Sequence, residues 1–403
     1  MKNNLHIQII RSFEEIEDIR QIWEEMQAKE VYPTINADID RYLSIIKGDT
    51  KPAQPYIILI RDNDVVISML IGFIHQSHMT CKLGRKIIFK PLLKILSVVY
   101  GGVLGNPSED TCDLLMGEIT TLFSNGKIDV AYFSHLGTDS FFYKYARKKT
   151  NVLCRSHPPK IVHQRYMLIP QSFDQFLNAC SHNSRRNYKR WTKKFTKKFA
   201  NRFEIKTYYN ESEVDSALDK MARISAQTYQ RAYGGGIVND AITQMLFHNA
   251  AKKGWLRTYI LSIDNEPCAF WTGLKYGRIY YAEFTGYLPK WRNYHIGTIL
   301  FFKLVRDLCK DPEVDILDFS FGEGQHKHWG ESRFWSVASI YIFAPRVFPV
   351  MVNIIHSSLL SISIFTKDLA NKLRIFNVIQ KYRRQRILQK KSKAYKNKQS
   401  LEK

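Results

Sequence analysis

Arg292 and Gly297 stand five positions apart where a strand-like run gives way to a helix-like one, and that pairing suits a bound phosphate. Gly286 and Pro289 break the run GRIYYAEFTGYL (277–288), and Arg292-Asn293-Tyr294-His295-Ile296-Gly297 then opens a segment with Ile296, Ile299, Leu300, Leu304 and Leu308 at helical spacing. The first N–H groups of a helix have no intrahelical partner and point outward, so they form a natural seat for an anion. Gly297 permits close approach, and Arg292 supplies a two-pronged clamp. Many helices begin with a base and a glycine, so an ordinary helix start is the competing reading of these residues taken alone.

Two other stretches carry chemistry-bearing side chains. The polar segment GEGQHKHWGES (322–332) holds His326, Lys327 and His328 close to Glu323. One H-x-H without a third and fourth well-spaced ligand is not a metal set, so no metal is expected. The segment SRRNYKRWTKKFTKKFANRF (184–203) interleaves bases with aromatics; from Ser181 to Lys206 ten bases face one acid, Glu204. Tyr188, Trp191, Phe195 and Phe199 recur at helical spacing and read as the buried stripe of one amphipathic helix. Stacking on single-stranded nucleic acid would need such rings splayed on a sheet or groove, which argues against a nucleic-acid arm. The bases then form either a solvated face or a surface for an anionic partner.

The elements that must position these residues follow from length and pattern. A chain of 403 residues exceeds what one core supports, so two domains are expected. In the first half a helix-like SFEEIEDIRQIWEEM (12–26) precedes PYIILIRDNDVVISMLIGFIH (55–75). In the second, ESEVDSALDKMARISAQTY (211–229) precedes RTYILSIDNEPCAFWTGLKY (257–276), and Asp62-Asn63-Asp64 falls on Asp264-Asn265-Glu266. Each is a β-rich run, a polar turn and a second β-rich run, which is a hairpin pattern. A duplicated α/β domain is the economical reading; two unrelated domains with a chance match is the other. The expected division is 1–168, 169–345 and a basic tail, 346–403. Residues 81–105 read only as an irregular strand-loop segment.

The tail begins with VFPVMVNIIHSSLLSISIF (347–365), whose Pro349, Asn353, His356 and serines make it marginal as a membrane span. From Lys367 to Lys403 thirteen Lys and Arg face only Asp368 and Glu402. An interfacial helix on an anionic membrane and a helix docked on the second domain are both compatible with this pattern. The six cysteines are widely spaced, as expected of reduced thiols, and the N-terminus reaches acids before any long apolar run, unlike a signal peptide. A cytoplasmic protein, peripheral on the inner face of the membrane, is expected.

A hairpin, a third strand, a helix entered through the Arg292–Gly297 turn, then strand, loop and strand resembles the GNAT acyltransferase fold. In that family a Gln/Arg-x-x-Gly-x-Gly/Ala turn holds the coenzyme A pyrophosphate; Arg292 and Gly297 match it, and His295 replaces the first glycine. SHNSRRNYKRWTKKF, then GWLRTYILSIDNEPCAFWTGLKYGRIYYAEFTGYLPKW, then DFSFGEGQHKHWG looks like the CelD-type (cellulose-biosynthesis-associated) acetyltransferases. Those are relatives of the FemAB peptidyltransferases, with two GNAT-like domains in tandem, and the likeness covers residues 1–345. It implies acyl-CoA, acetyl-CoA in the simplest case, bound by residues Arg292, Asn293, Tyr294, His295, Ile296 and Gly297. It also implies acyl transfer to an amino sugar or other glycan or lipid-linked envelope precursor.

Acyl transfer needs a base and an oxyanion partner. Glu283, mid-strand, is the best candidate base, against the plainer reading of a solvent-facing strand glutamate, and Tyr281 shares its strand face. Lys327 resembles the family's lysine and meets an acceptor phosphate or the developing oxyanion, and His328 is an auxiliary base or a plain surface histidine. Arg185, Arg186 and Lys189 face the anionic acceptor or membrane. A FemAB-like transferase drawing an amino acid from aminoacyl-tRNA, the one case in which nucleic acid enters, and a non-catalytic scaffold of a polysaccharide machine are the alternatives.

Overall fold

A computed structural model describes residues 5–48, 52–84, 86–105, 107–228, 235–321, 329 and 332–372. The first half runs β1 (Leu5–Ile10), α1 (Phe13–Asp18), α2 (Arg20–Ala28), α3 (Ile39–Gly48), β2 (Ala53–Asp62), β3 (Val65–His78), β4 (Cys81–Leu83), β5 (Lys86–Phe89), β6 (Leu92–Gly105), α4 (Glu109–Ser124), β7 (Val130–Gly137) and α5 (Phe141–Lys149). The second continues with β8 (Ile161–Leu168), α6 (Phe173–Ala179), α7 (His182–Phe199), β9 (Phe203–Tyr208), α8 (Val214–Ala226), α9 (Ala241–Lys252), β10 (Leu256–Ile263), β11 (Glu266–Tyr276), β12 (Ile279–Tyr287), α10 (Ile296–Leu308), β13 (Ile316–Phe321), β14 (Ser332–Phe343) and α11 (Val347–Lys372).

The chain divides into two compact units, Met1–Gln164 with Phe334–Ile364, and Arg165–Arg333 with Phe365–Lys403. In the first, the strand order is β1-β2-β3-β6-β7-β14; in the second, β9-β10-β11-β12-β13-β8. The two orders correspond strand for strand. In both, an antiparallel hairpin leads to a third strand, a helix, and a strand that returns parallel to the third. The hairpins anticipated at 55–75 and 257–276 are therefore equivalent. Each turns in two residues, Asn63-Asp64 and Asp264-Asn265. Asn63 (φ 53°), Asp264 (φ 52°) and Asn265 (φ 62°) take the left-handed conformation that short polar side chains tolerate.

Both sheets are covered on two sides, which is why their strands read as near-continuous apolar runs. In the first unit Ile58 and Ile60 face a core with Leu115, Ile119 and Phe142, while Ile57 and Leu59 face Trp23 and Tyr42. In the second, Tyr259, Leu261, Trp271 and Tyr280 pack under α10, joined by Phe176, Phe195 and Phe199 of α6 and α7. The six thiols are unpaired and all but Cys309 are buried, so burial, not pairing, explains them.

The division expected at 345 is different in the structure. Residues 337–343 pair antiparallel with 130–137, so the last strand completes the first unit's sheet. The helix after it docks on that same unit, not on the second. Val352 joins Met79, Leu93, Ile95 and Val130, and Asn353 Nδ2 donates to Leu153 O and Arg155 O, both at 2.9 Å. Val347–Thr366 is long and apolar enough to cross a membrane by length and composition, and its inner side, Val352, Asn353 and Ser357, is buried against protein.

Candidate active site

β12 runs antiparallel to β11 along its length but parallel to β13 only from Ile279↔Ile316 to Tyr281↔Asp318. Past that point no pairing of the two strands is present among the described residues, and we call the unladdered interval between them the slot. Asp318, fully buried, accepts the Ser320 N–H at 2.5 Å, and Ser320 takes a φ of 58°, so the chain leaves the ladder through a fixed local turn.

Glu283 lies two residues past the end of this pairing, half-buried. Thr272 pairs with Phe284 and Gly273 with Ala282, leaving Glu283 as the extra residue of a β-bulge. Gly273 makes the bulge feasible: a Cβ there would lie 2.2 Å from Tyr281 O and 2.6 Å from the Tyr280 ring. Strand alternation holds as far as Ala282. Tyr280 and Ala282 enter the core beneath α10, and Tyr281 is buried outside that cluster. Tyr280 is sequestered; its hydroxyl donates to Arg257 O at 3.1 Å, and burial pushes its acidity far below a free phenol's.

The Arg292–Gly297 turn follows at the end of β12. Residues Pro289–Tyr294 form a 3₁₀ turn, and His295, with φ 54° and ψ 34°, is the N-cap of α10. No side chain caps this helix, and its first turn carries no acid. Arg292 and Asn293 are exposed and Tyr294 is half-buried, while Ile296 is anchored in the core. Gly297 approaches the Tyr287 ring closely, and its carbonyl accepts from Trp271 Nε1 at 3.2 Å. These features fit an anionic phosphate group.

The corresponding helix of the first unit, α4, does not fit one. Ser108 and Thr111 form a reciprocal cap, and Glu109 and Asp110 occupy the first turn. The same topological position is therefore satisfied and acidic in one unit and uncapped in the other.

The basic helix α7 lies against the turn. Phe195 and Phe199 are buried, and Tyr188 stacks on Phe302 (4.0 Å, 15°), as the aromatic spacing implies. Trp191 stacks on the His295 ring (3.9 Å, 18°), and Lys194 lies 5.3 Å from the Tyr294 ring. Burial first, then the charges of Lys194 and Arg190, hold His295 below its ordinary basicity. The bases flanking the turn are thus Arg190 and Lys194; helical periodicity finds the stripe but not which side meets the turn.

Arg186 and Lys189 are exposed one to two turns upstream, and Arg185 reaches Asn178 Oδ1 at 3.4 Å. Lys189 also lines a shallow groove of about 660 Å³ with Tyr188, Thr192, Lys193, Thr196 and Lys197, on the helix surface and not at the slot. Trp291 Nε1, buried between Phe199 and Tyr294, has no hydrogen-bond partner among the described residues. Lys327, His328, His326 and Glu323 lie outside the described residues. No group of three metal-type ligands occurs among the described ones.

Residues 182–328, which contain slot, turn and basic helix, match the family model of the acetyltransferase (GNAT) domain. The fold is similar to the crystal structure of FemX, with TM-score 0.57 at 8% identity over 83% of this chain and 97% of that one. A tandem GNAT protein from the clavulanic acid biosynthesis pathway aligns with TM-score 0.48 at 11% identity, over 85% of this chain and 100% of that one. A glucosamine N-acetyltransferase region of a fungal multi-domain β-N-acetylglucosaminidase gives 0.40 at 11%, over 85% and 38%. No curated protein matches the sequence. Residues 182–328 thus match the acetyltransferase (GNAT) domain, and the chain has a mixed α/β GNAT fold.

Proposed function

We propose that the second unit transfers an acyl group, acetyl from acetyl-CoA in the simplest case, to an amine of an amino sugar or related cell-envelope glycan precursor. The observation that carries this reading is the uncapped, cation-flanked start of α10 at the end of the slot where Glu283 lies. The coenzyme A pyrophosphate rests on the N–H groups of Ile296 and Gly297 with Arg292 as clamp. The thioester lies in the slot, the acceptor nitrogen attacks its carbonyl carbon, Glu283 receives the proton, and the thiolate leaves. Lys327 keeps the role that the CelD-type resemblance implies, toward an acceptor phosphate or the oxyanion, and His328 is a candidate auxiliary base. The amino-sugar acceptor also rests on that resemblance, and Arg185, Arg186 and Lys189 are candidates to meet its charge.

Isothermal titration with acetyl-CoA tests the donor. Saturable binding by the wild type that weakens in Arg292→Ala supports the reading; a wild type that ignores acetyl-CoA sinks it. A FemAB-like use of aminoacyl-tRNA is favoured by one observation, the exposed basic surface of α7 beside the turn. Mass spectrometry of ligand carried through purification separates the two: coenzyme A supports the first reading, tRNA the second, and neither supports a scaffold.

A further inference from the structure

The first unit carries an extension that the second lacks. Where β11 turns directly into β12 at Tyr276↔Ile279, β3 and β6 run on to His78↔Leu92 and continue into the β4–β5 hairpin. The hairpin is inverted in polarity: Leu83, Ile87, Ile88 and Leu92 are exposed, with Ile87 at 51% and Leu92 at 52%. Exposed Lys82, Lys86, Lys90 and Lys94 alternate with them, and no acid occurs between Cys81 and Ser108.

α11 is its neighbour. Phe89 of the hairpin and Val352 of the helix pack on one cluster with Met79 and Leu93. With Val352, Asn353 and Ser357 turned inward, the helix presents Phe348, Met351, Ile354 and Ile362 outward, Ile354 being 53% exposed. No acid lies between Arg346 and Thr366, and beyond Lys372 the sequence has eleven Lys and Arg against Glu402 alone.

We propose that the β4–β5 hairpin and the outer face of α11 dock the first unit on an anionic lipid bilayer. Apolar side chains on two adjoining elements of a small domain form the kind of patch that soluble surfaces rarely keep without a partner. Their depth and mixture with lysines match an interfacial element, apolar groups entering the acyl boundary while ammonium groups stay at the phosphates. Charge selects the occupant: a second copy would set lysine against lysine, whereas an acidic leaflet complements the hairpin, the helix and the basic sequence that follows. Because Asn353 fixes the helix on the unit, it lies along the interface instead of crossing it. The proposal is independent of the acceptor and of the acyl donor.

Flotation of the full chain with phosphatidylglycerol/phosphatidylcholine vesicles tests it, read against pure phosphatidylcholine and with Ile87→Glu/Ile88→Glu and Met351→Glu/Ile354→Glu as variants. The expected result is wild-type flotation only with the acidic vesicles, released by high salt, and a fall in partition of about tenfold or more in each variant. Thermal melting checks that the variants fold; if either glutamate pair lowers the melting temperature, the corresponding serine pair is read instead. Undiminished flotation by the hairpin variant, equal flotation on neutral vesicles, or no wild-type flotation overturns the proposal. So does a wild-type dimer in sedimentation velocity that both variants dissociate.

Discussion

His295 stands where the GNAT turn that this segment resembles has glycine, and it takes a backbone conformation that glycine adopts readily. At φ 54° it occupies the left-handed region, which costs a non-glycine residue roughly 1–2 kcal/mol. Its ring is folded onto Trp191, so the side chain lies along α7. His295→Gly therefore removes strain and a stack together, and acetyl-CoA affinity in titration is expected to survive the change. The imidazole also carries a pH signature. Its basicity is depressed in the fold, so the unfolded chain binds more protons; the stability it contributes is fully present above its ordinary value of 6.5 and is lost as pH falls through 6.5 toward the folded value. Urea midpoints measured across that range should decline toward acid in the wild type, and less steeply in His295→Gly. Arg292→Ala should weaken acetyl-CoA binding by about 1.5–3 kcal/mol. Glu283→Gln should leave affinity nearly intact and lower kcat, because it removes a base and not a ligand. Equal affinity in the Arg292 variant and wild type would mean the pyrophosphate lies elsewhere. The helix start at Arg292 to Gly297 was legible in the sequence because Gly286 and Pro289 break the strand pattern just before it. The Trp191–His295 stack was not, because the two residues meet only through tertiary packing.

The strands and helices differ in how much of their geometry is local. The two hairpins were legible because their Asn-Asp and Asp-Asn turns favour the left-handed conformation that a two-residue turn requires. The bulge at Glu283 was not, since a bulge is a property of pairing and β12 alone reads as uninterrupted strand. Its dependence on β11 is testable at Gly273, where a Cβ would meet backbone 2.2 Å away. Backbone cannot retreat as a flexible side chain does, so Gly273→Ala should cost about 1–3 kcal/mol or more in urea unfolding and lower turnover with it. A fully stable, fully active variant would show that the bulge is not needed. The two crossover helices make the opposite comparison. Removing the α4 cap by Ser108→Ala should cost about 1 kcal/mol and leave acetyl-CoA binding unchanged. The β4–β5 hairpin escaped the sequence because its strands are short and its apolar residues face outward, so neither period announces it.

At the scale of the whole chain, sequence order and folding unit do not coincide. The divide expected at 345 failed because β14 follows the second half in sequence yet finds its partner in β7, some two hundred residues earlier. No local pattern records such a pairing. Local pattern also could not choose which unit α11 covers, and that choice has an energetic consequence. A chain ending at Pro345 loses the buried Val352 side chain, worth about 1.5–3 kcal/mol. It also loses the two Asn353 hydrogen bonds to Leu153 O and Arg155 O, each contributing about 0.5–1.5 kcal/mol. Truncation should therefore destabilise the first unit by roughly 2.5–6 kcal/mol, a large share of a domain's stability, and lower its melting temperature. Acetyl-CoA affinity should persist at temperatures where that unit is still folded, because slot, turn and α7 belong to the second unit. Asn353→Ala isolates the polar part: it keeps the apolar face and should reproduce only the hydrogen-bond share of the loss. His356, on the same helix beside Tyr341, is held below its ordinary value of 6.5 by burial, so the seat of α11 should weaken as pH falls through that value. The truncated chain, lacking that histidine, should show a correspondingly flatter acid limb. An unchanged melting temperature after truncation would mean that the helix rests on the unit without supporting it.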